Sequence, residues 1–258
     1  MSLETQTLRV FKTLRVERFN MSTVNVSPSN KAKLDRSGIS RLVQAPLFIL
    51  LLGALLFGVA GVFDWPGAWA FLGLFVAMMA VAVVWSLRYN PDLLNERGKV
   101  AENTKAWDKI ILTLYTLLLL AMMVVAGLDR RFGWSSMPVW VQILGGVGLL
   151  LAMALVYWVA TSNAYLSTVV RIQDDRGQQV VTSGPYQYVR HPMYSAMFFF
   201  FWSIPLLLGS WWALIPATLN VLVFIVRTAL EDKTLQAELP GYSEYAKRVR
   251  YRLVPGVW

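Results

Sequence analysis

Residues 184–208 read GPYQYVRHPMYSAMFFFFWSIPLLL, and this stretch decides the fold. A polar segment rich in tyrosine leads through Pro192 into an apolar run that ends before Gly209 and Ser210. Proline suits the first position of a helix, where its missing amide hydrogen would have had no partner. The stretch therefore predicts a helix from Pro192 to Leu208 that enters a membrane at the polar segment.

Five further apolar stretches share this character. The chain is 56% hydrophobic and only 15% charged, whereas an ordinary soluble domain carries about 25% charged residues. A chain in lipid must satisfy its backbone amides internally, so each stretch is predicted to be a helix. The sequence therefore predicts an all-α polytopic membrane protein with about six transmembrane helices. They are Leu42–Phe63, Pro66–Leu87, Ile110–Leu128, Val139–Thr161, Pro192–Leu208 and Trp211–Val226.

The basic residues predict how these spans are oriented. With six crossings, all of the 24 lysines and arginines except Arg130 and Arg131 fall on one side. The positive-inside rule makes that side cytoplasmic, and both termini lie there. The chain then divides into a poorly ordered cytoplasmic tail (1–41), a four-helix transmembrane region (42–161) and a catalytic region (162–258) with a helical hairpin and a C-terminal lid.

The composition excludes several classes of function. Cysteine is absent and His191 is the single histidine, so thiolate zinc sites, disulfides and cysteine nucleophiles are excluded and no metal site is expected. The net charge of +9 arises from loops between apolar spans, which indicates membrane topology and no nucleic-acid partner. Gly145, Gly146 and Gly148 lie inside a span with no preceding strand, which favours close helix packing over a nucleotide-binding loop.

The polar region before Pro192 predicts a small cytoplasmic β-hairpin. Its strands would be Val169–Ile172 and Gln179–Thr182, joined by the turn sequence Asp174-Asp175-Arg176-Gly177.

A second prediction concerns the helical hairpin that follows. Two antiparallel helices of ~17 residues each rise ~26 Å, so the second ends where the first began. His191 and Glu231 are therefore predicted to be neighbours at one membrane boundary. An ionised carboxylate needs a partner at such a boundary, and Arg227 lies one turn before Glu231. The pair Arg190-His191 at this boundary could also serve only to contact lipid headgroups. The residues alone therefore leave two interpretations open, a functional site and a contact with headgroups.

At these positions the sequence resembles the isoprenylcysteine carboxyl methyltransferase family and, more loosely, the phospholipid methyltransferases. The shared motifs are Gly184-Pro185-Tyr186, Arg190-His191-Pro192-x-Tyr194, Glu231-Asp232 and Gly241-Tyr242-Ser243-Glu244-Tyr245. The resemblance implies an S-adenosylmethionine pocket at the cytoplasmic face, closed by the C-terminal helices, and a lipophilic acceptor that enters from the bilayer. Asp232 departs from the family, which usually has a second glutamate there.

The resemblance also implies roles for individual residues. The cofactor would be bound by Tyr186, Arg190, His191, Pro192, Tyr194 and Glu231. The catalytic residues would be His191, Glu231, Arg227 and Arg248: either arginine could anchor an acceptor carboxylate, and His191 or Glu231 could deprotonate an amine or thiol.

Two other functions fit the same signature. One is an NADPH-dependent membrane reductase of the sterol reductase type, which shares Arg190-His191-Pro192-x-Tyr194, and the other is a non-catalytic membrane subunit. The acceptor is open between a lipophilic small molecule, a lipidated substrate and a membrane lipid. Oligomeric state cannot be predicted from these residues.

Overall fold

The computed structural model describes residues 34–98 and 104–258, and it is all-α over them. Most of the predicted tail, residues 1–41, lies outside the described residues. The first helix begins before its predicted start at Leu42, because Asp35 caps it by accepting a hydrogen bond from the Gly38 amide at 2.9 Å. The helices are α1 (Arg36–Ala60), α2 (Pro66–Tyr89), α3 (Pro91–Gly98), α4 (Ala106–Phe132), α5 (Val139–Ser162), α6 (Pro192–Leu208), α7 (Leu214–Glu238) and α8 (Tyr242–Arg248).

Within the described residues, five helices are long and apolar enough to cross a membrane, namely α1, α2, α4, α5 and α7. Helix α6 is also apolar but has only 17 residues. The structure therefore confirms the all-α class and five of the predicted spans by length and composition. A sixth crossing stays a prediction. Helix α3 was not predicted, since its sequence is polar and was assigned to a loop.

Helices α6 and α7 form the predicted helical hairpin, but only one of the two helices has the predicted bounds. The predicted bounds of α6 are correct, because Pro192 starts it and Gly209 ends it in the left-handed conformation at φ 78°. The predicted bounds of α7 are wrong: the helix begins at Leu214 and continues beyond Val226 to Glu238. The residues after Val226 are mostly good helix formers, so the helix outlasts its apolar run.

The predicted β-hairpin is absent from the described residues. Residues 169–172 and 179–182 form no strands, and a 3-10 turn, Asp174–Arg176, lies between them. Side chains take the place of a partner strand: the Val170 amide donates to Asp108 Oδ2 at 2.7 Å, and the Gln173 amide donates to Gln178 Oε1 at 2.8 Å. Backbone groups satisfied in this way do not need a ladder.

Helix α6 packs between α5 and α7, while α4 packs against both α1 and α7. Phe201 and Ile204 of α6 are fully buried in the core with Leu56 of α1 and Met122 of α4. Helices α5 and α6 approach each other closely at two glycines. A Cβ atom on Gly145 would lie 2.4 Å from the Leu207 nitrogen, and one on Gly148 would lie 2.4 Å from Ser203 Oγ. Close helix packing is thus confirmed for these two positions.

We expect Gly145→Ala to lower the thermal unfolding midpoint of the detergent-solubilised protein. The new methyl group meets the backbone of α6, and overpacking of this kind costs roughly 1–3 kcal/mol. Gly146→Ala is the matched control, since its Cβ would lie 3.6 Å from Leu207 Cδ1 and alanine is the better helix former. A melting curve of each variant checks this. Equal midpoints for the two variants would contradict the assigned packing.

Candidate active site

The α6–α7 hairpin brings its two ends together, as predicted. His191 Nδ1 lies 4.0 Å from Glu231 Oε1, and the Tyr194 hydroxyl donates to Glu231 Oε2. The rings of His191 and Tyr194 are stacked at 5.8 Å between centroids. His191 is buried, and the Glu231 side chain is 22% exposed. Glu231 is therefore the more accessible group of this cluster.

Asp232, one residue further on, is fully buried and has a different role. Its Oδ1 accepts from Arg190 Nε at 2.8 Å and from the Tyr242 hydroxyl at 3.0 Å, and lies 3.2 Å from His191 Nε2. Its Oδ2 accepts from Arg190 Nη2, Gln236 Nε2 and Arg252 Nε at 2.8–3.0 Å. The departure from the family's second glutamate thus places a short carboxylate at the centre of a hydrogen-bond network. Burial raises the pKa of Tyr242, as does the charge on Asp232, so the Tyr242 hydroxyl stays a donor.

The C-terminal segment is held against the start of α6. The amides of Arg190 and His191 donate to the carbonyls of Tyr251 and Arg252 at 3.0 and 2.9 Å. Arg190 Nη1 also donates to the carbonyls of Val249 and Arg250, at 2.8 and 2.9 Å. Arg190 therefore joins three elements, since it binds Asp232 of α7 and the chain that follows α8.

A second buried ion pair holds the segment between α5 and α6. Arg227 Nε donates to Asp108 Oδ1 at 2.8 Å, and Arg227 Nη2 donates to Asp108 Oδ2 at 3.2 Å and to the Thr168 carbonyl at 3.0 Å. Asp108 also accepts from the Val170 amide. Both side chains are buried. The pair links α4, α7 and the segment around residues 168–170, while Arg227 Nη1 makes no hydrogen bond to the described residues.

These groups surround a cavity of about 420 Å³, which we call the polar cavity. Pro192, buried at the start of α6, and Arg248, exposed at the end of α8, are not among the described residues that line it. The predicted site residues that do line it are Tyr186, Arg190, His191, Tyr194, Arg227 and Glu231.

Several tyrosines also line the polar cavity. The Tyr186 hydroxyl accepts from Asn163 Nδ2 at 2.7 Å, and its carbonyl accepts from the Tyr245 hydroxyl at 2.8 Å. Burial raises the pKa of Tyr186 and of Tyr245. Tyr115 of α4 also lines the cavity, with its ring 5.5 Å from that of Phe224. The cavity thus combines charged groups with flat aromatic surfaces.

Sequence reasoning missed Asp108 and the structural role of Asp232. The signal for Asp108 was an acidic residue next to an apolar span, where a buried partner is required. The identity of that partner could not be read from the sequence, since Arg227 lies 119 residues away. For Asp232, the resemblance left the role of the second carboxylate open. Adjacent residues on a helix face different directions, so the partners of Asp232 could not be inferred from those of Glu231.

A comparison with protein-family models supports the methyltransferase interpretation. Residues 140–239 match the family model described as phospholipid methyltransferase. No curated protein matches the chain significantly. The matched region runs from the first turn of α5 to the residue after α7, and it contains His191, Glu231 and Asp232. Five apolar helices of spanning length agree with an integral membrane protein. The resemblance seen in the sequence is thereby confirmed: residues 140–239 match the phospholipid methyltransferase family, whose members are membrane methyltransferases.

Proposed function

We propose that the protein transfers a methyl group from S-adenosylmethionine to a lipophilic acceptor at the cytoplasmic boundary of the membrane. One observation carries the proposal: within the family-matched region, the α6–α7 hairpin places His191, Arg227 and Glu231 around one cavity. Small-molecule sites occupy roughly 300–1,000 Å³ and combine apolar walls with a few polar groups. The polar cavity, at about 420 Å³, has this size and composition.

The free donors and acceptors of the cavity fit the cofactor. S-adenosylmethionine has an ammonium group, a sulfonium group, a carboxylate and a purine ring. Glu231 Oε1 accepts no hydrogen bond from the described residues, so it can receive a cationic group. Arg227 Nη1 is likewise available for a carboxylate. Tyr115 and Tyr186 offer aromatic surfaces for the purine.

The bound cofactor would supply an electrophilic methyl group on its sulfonium. The residues of this chain would hold that group and the acceptor in line and exclude water. Tyr242 and Tyr245 of α8 line the polar cavity on one side, and the chain that follows α8 is anchored through Arg190 and Asp232. For an amine or thiol acceptor, Glu231 or His191 would take the proton, because they are the carboxylate and the imidazole among the described residues that line the cavity.

We expect the purified full-length protein to bind S-adenosylmethionine in an uncharged detergent, and Glu231→Gln to weaken this binding by about ten- to a hundredfold, since a hydrogen bond to a charged group contributes ~1.5–3 kcal/mol. Isothermal titration calorimetry measures both. Glu238→Gln is the matched control: it removes a carboxylate from the same helix, where it forms an exposed pair with Lys105. Unchanged affinity in Glu231→Gln would contradict the assigned site.

The same preparation separates the competing functions. NADPH serves as the second titrant, because the Arg190-His191-Pro192-x-Tyr194 signature also occurs in sterol reductases. Binding of NADPH without binding of S-adenosylmethionine would overturn the proposal in favour of a reductase. Binding of neither would favour a non-catalytic subunit.

A further inference from the structure

A second cavity of about 400 Å³ lies beside the polar cavity, between α1, α2, α3 and α5. We call it the apolar cavity, because its walls are mostly aliphatic and methionine side chains. Its polar or charged side chains include Ser86, Tyr157, Arg41 and Arg97. The residues that line it include Leu74, Met78, Leu94, Leu150, Met153 and Ala154.

Arg41 and Arg97 line both cavities, so they mark the place where the two meet. Among the described residues, neither guanidinium makes a hydrogen bond or an ion pair. The Nε atom of Arg97 is buried and has no partner. Burial lowers the pKa of Arg97, and the charge of Arg41 lowers it further. The other arginines that line the polar cavity are each bound to a carboxylate; they are Arg171, Arg190 and Arg227.

This arrangement is unfavourable without a ligand. A buried charge without a partner carries an uncompensated desolvation cost, and a second charge of the same sign adds repulsion. A guanidinium that only reached for bulk headgroups would keep its nitrogens exposed, whereas Nε of Arg97 is buried. An anionic group between the two arginines would remove both costs, because each guanidinium can donate to it in a planar, two-pronged geometry.

We propose that Arg41 and Arg97 bind the anionic headgroup of a single-chain amphiphile whose apolar chain occupies the apolar cavity. The inference rests on the proposed function in one respect, since it makes this amphiphile the methyl acceptor, with its headgroup facing the polar cavity. The headgroup is a carboxylate or a phosphate, which present the same oxygens to the arginines. This assignment differs from the expectation from sequence, which gave the anchoring role to Arg227 or Arg248. Arg227 is paired with Asp108, and Arg248 does not line either cavity among the described residues.

The test measures binding to the full-length protein in an uncharged detergent, without cofactor. The probes are three compounds of equal chain length, namely palmitate, hexadecyl phosphate and hexadecanol. We expect at least one anion to bind more than tenfold more tightly than the alcohol, and the stronger of the two anions identifies the headgroup. Arg41→Gln and Arg97→Gln should each weaken binding of that anion by about ten- to a hundredfold and leave hexadecanol unchanged.

Arg88→Gln is the matched control, since it removes the same charge from an exposed position at the end of α2. Equal loss in Arg88→Gln and Arg97→Gln would overturn the proposal, because it would reduce the effect to diffuse charge. Equal binding of alcohol and anions would also overturn it. Ala154→Phe, which fills the apolar cavity and keeps both arginines, should weaken all three compounds; unchanged binding there would refute the position of the chain.

Titration of the same variants with S-adenosylmethionine separates the two proposals. Ala154→Phe should bind the cofactor normally, because Ala154 lines the apolar cavity and not the polar cavity; normal binding also shows that this variant is folded. Cofactor binding without selective anion binding would refute the inference alone. Anion binding without cofactor binding would refute the proposed function and leave the anion site in place.

Discussion

Replacing Asp232 by alanine is expected to lower the thermal unfolding midpoint by about 10 °C or more, because removing one partner of a buried ion pair costs roughly 3–5 kcal/mol. Its side chain is fully buried, and no solvent can replace the lost oxygens. The variant should also lose binding of S-adenosylmethionine, because α8, whose Tyr242 lines the polar cavity and donates to Asp232, would detach together with the chain that follows it. The groups left without this acceptor are Arg190, His191, Gln236, Tyr242 and Arg252.

The measurements are a melting curve and limited proteolysis. We expect cleavage after α8 to occur earlier in the variant than in the unmodified protein. Glu244→Ala provides the control, because it breaks an exposed pair with Lys247, and such pairs contribute about 1 kcal/mol or less. Equal unfolding midpoints for Asp232→Ala and Glu244→Ala, together with unchanged resistance to protease, would show that Asp232 does not hold the C-terminal segment in place.

Replacing Asp108 by alanine is the second change for which we expect a large effect. It leaves Arg227 buried without its partner, which lowers the free energy of unfolding by roughly 3–5 kcal/mol. The Val170 amide loses its acceptor as well, so the segment between α5 and α6 should loosen over the polar cavity. We expect loss of both thermal stability and methyl transfer. Asp92→Ala, which removes an exposed carboxylate from α3, should change neither.

A double variant separates stability from chemistry. Asp108→Ala combined with Arg227→Leu replaces the ion pair by apolar groups, which is often neutral for stability because no charge remains buried. We expect the double variant to regain most of the lost thermal stability but not the methyl transfer. A double variant as active as the unmodified protein would show that Arg227 only pairs with Asp108 and does not act in the site.

The hairpin and its ends could be predicted because their signals are local. Pro192 and Gly209 mark the ends of α6 by backbone conformation alone, and helix geometry then brings Glu231 back to His191. The end of α7 could not be predicted from hydropathy, since a helix can continue into water on residues with high helix propensity. The apolar run in α7 indicates where contact with lipid ends, whereas the helix itself continues to Glu238.

The rest of the site depends on contacts between residues that are distant in the chain. Arg227 and Asp108 were each visible as charges near apolar spans, but their pairing depends on how α4 packs against α7. The same applies to the predicted β-hairpin. Its two segments are rich in β-branched residues, as strands are, and yet the Asp108 and Gln178 side chains accept hydrogen bonds from backbone amides in this region. Side-chain acceptors that the sequence pattern does not identify therefore determine both the partner of Arg227 and the absence of the predicted β-hairpin.

Helix α6 carries His191 at its start and is the shortest of the apolar helices described. Its 17 residues extend ~26 Å, which is less than the ~30 Å thickness of a typical hydrocarbon core. If α6 crosses the membrane, as the sequence predicts, a bilayer would adapt to so short a segment by thinning around it. Such thinning would draw the headgroups of the leaflet inward to the depth of His191 and Glu231. A lipid acceptor would then not have to leave its leaflet to react, and the thickness of the surrounding membrane would become a determinant of the rate.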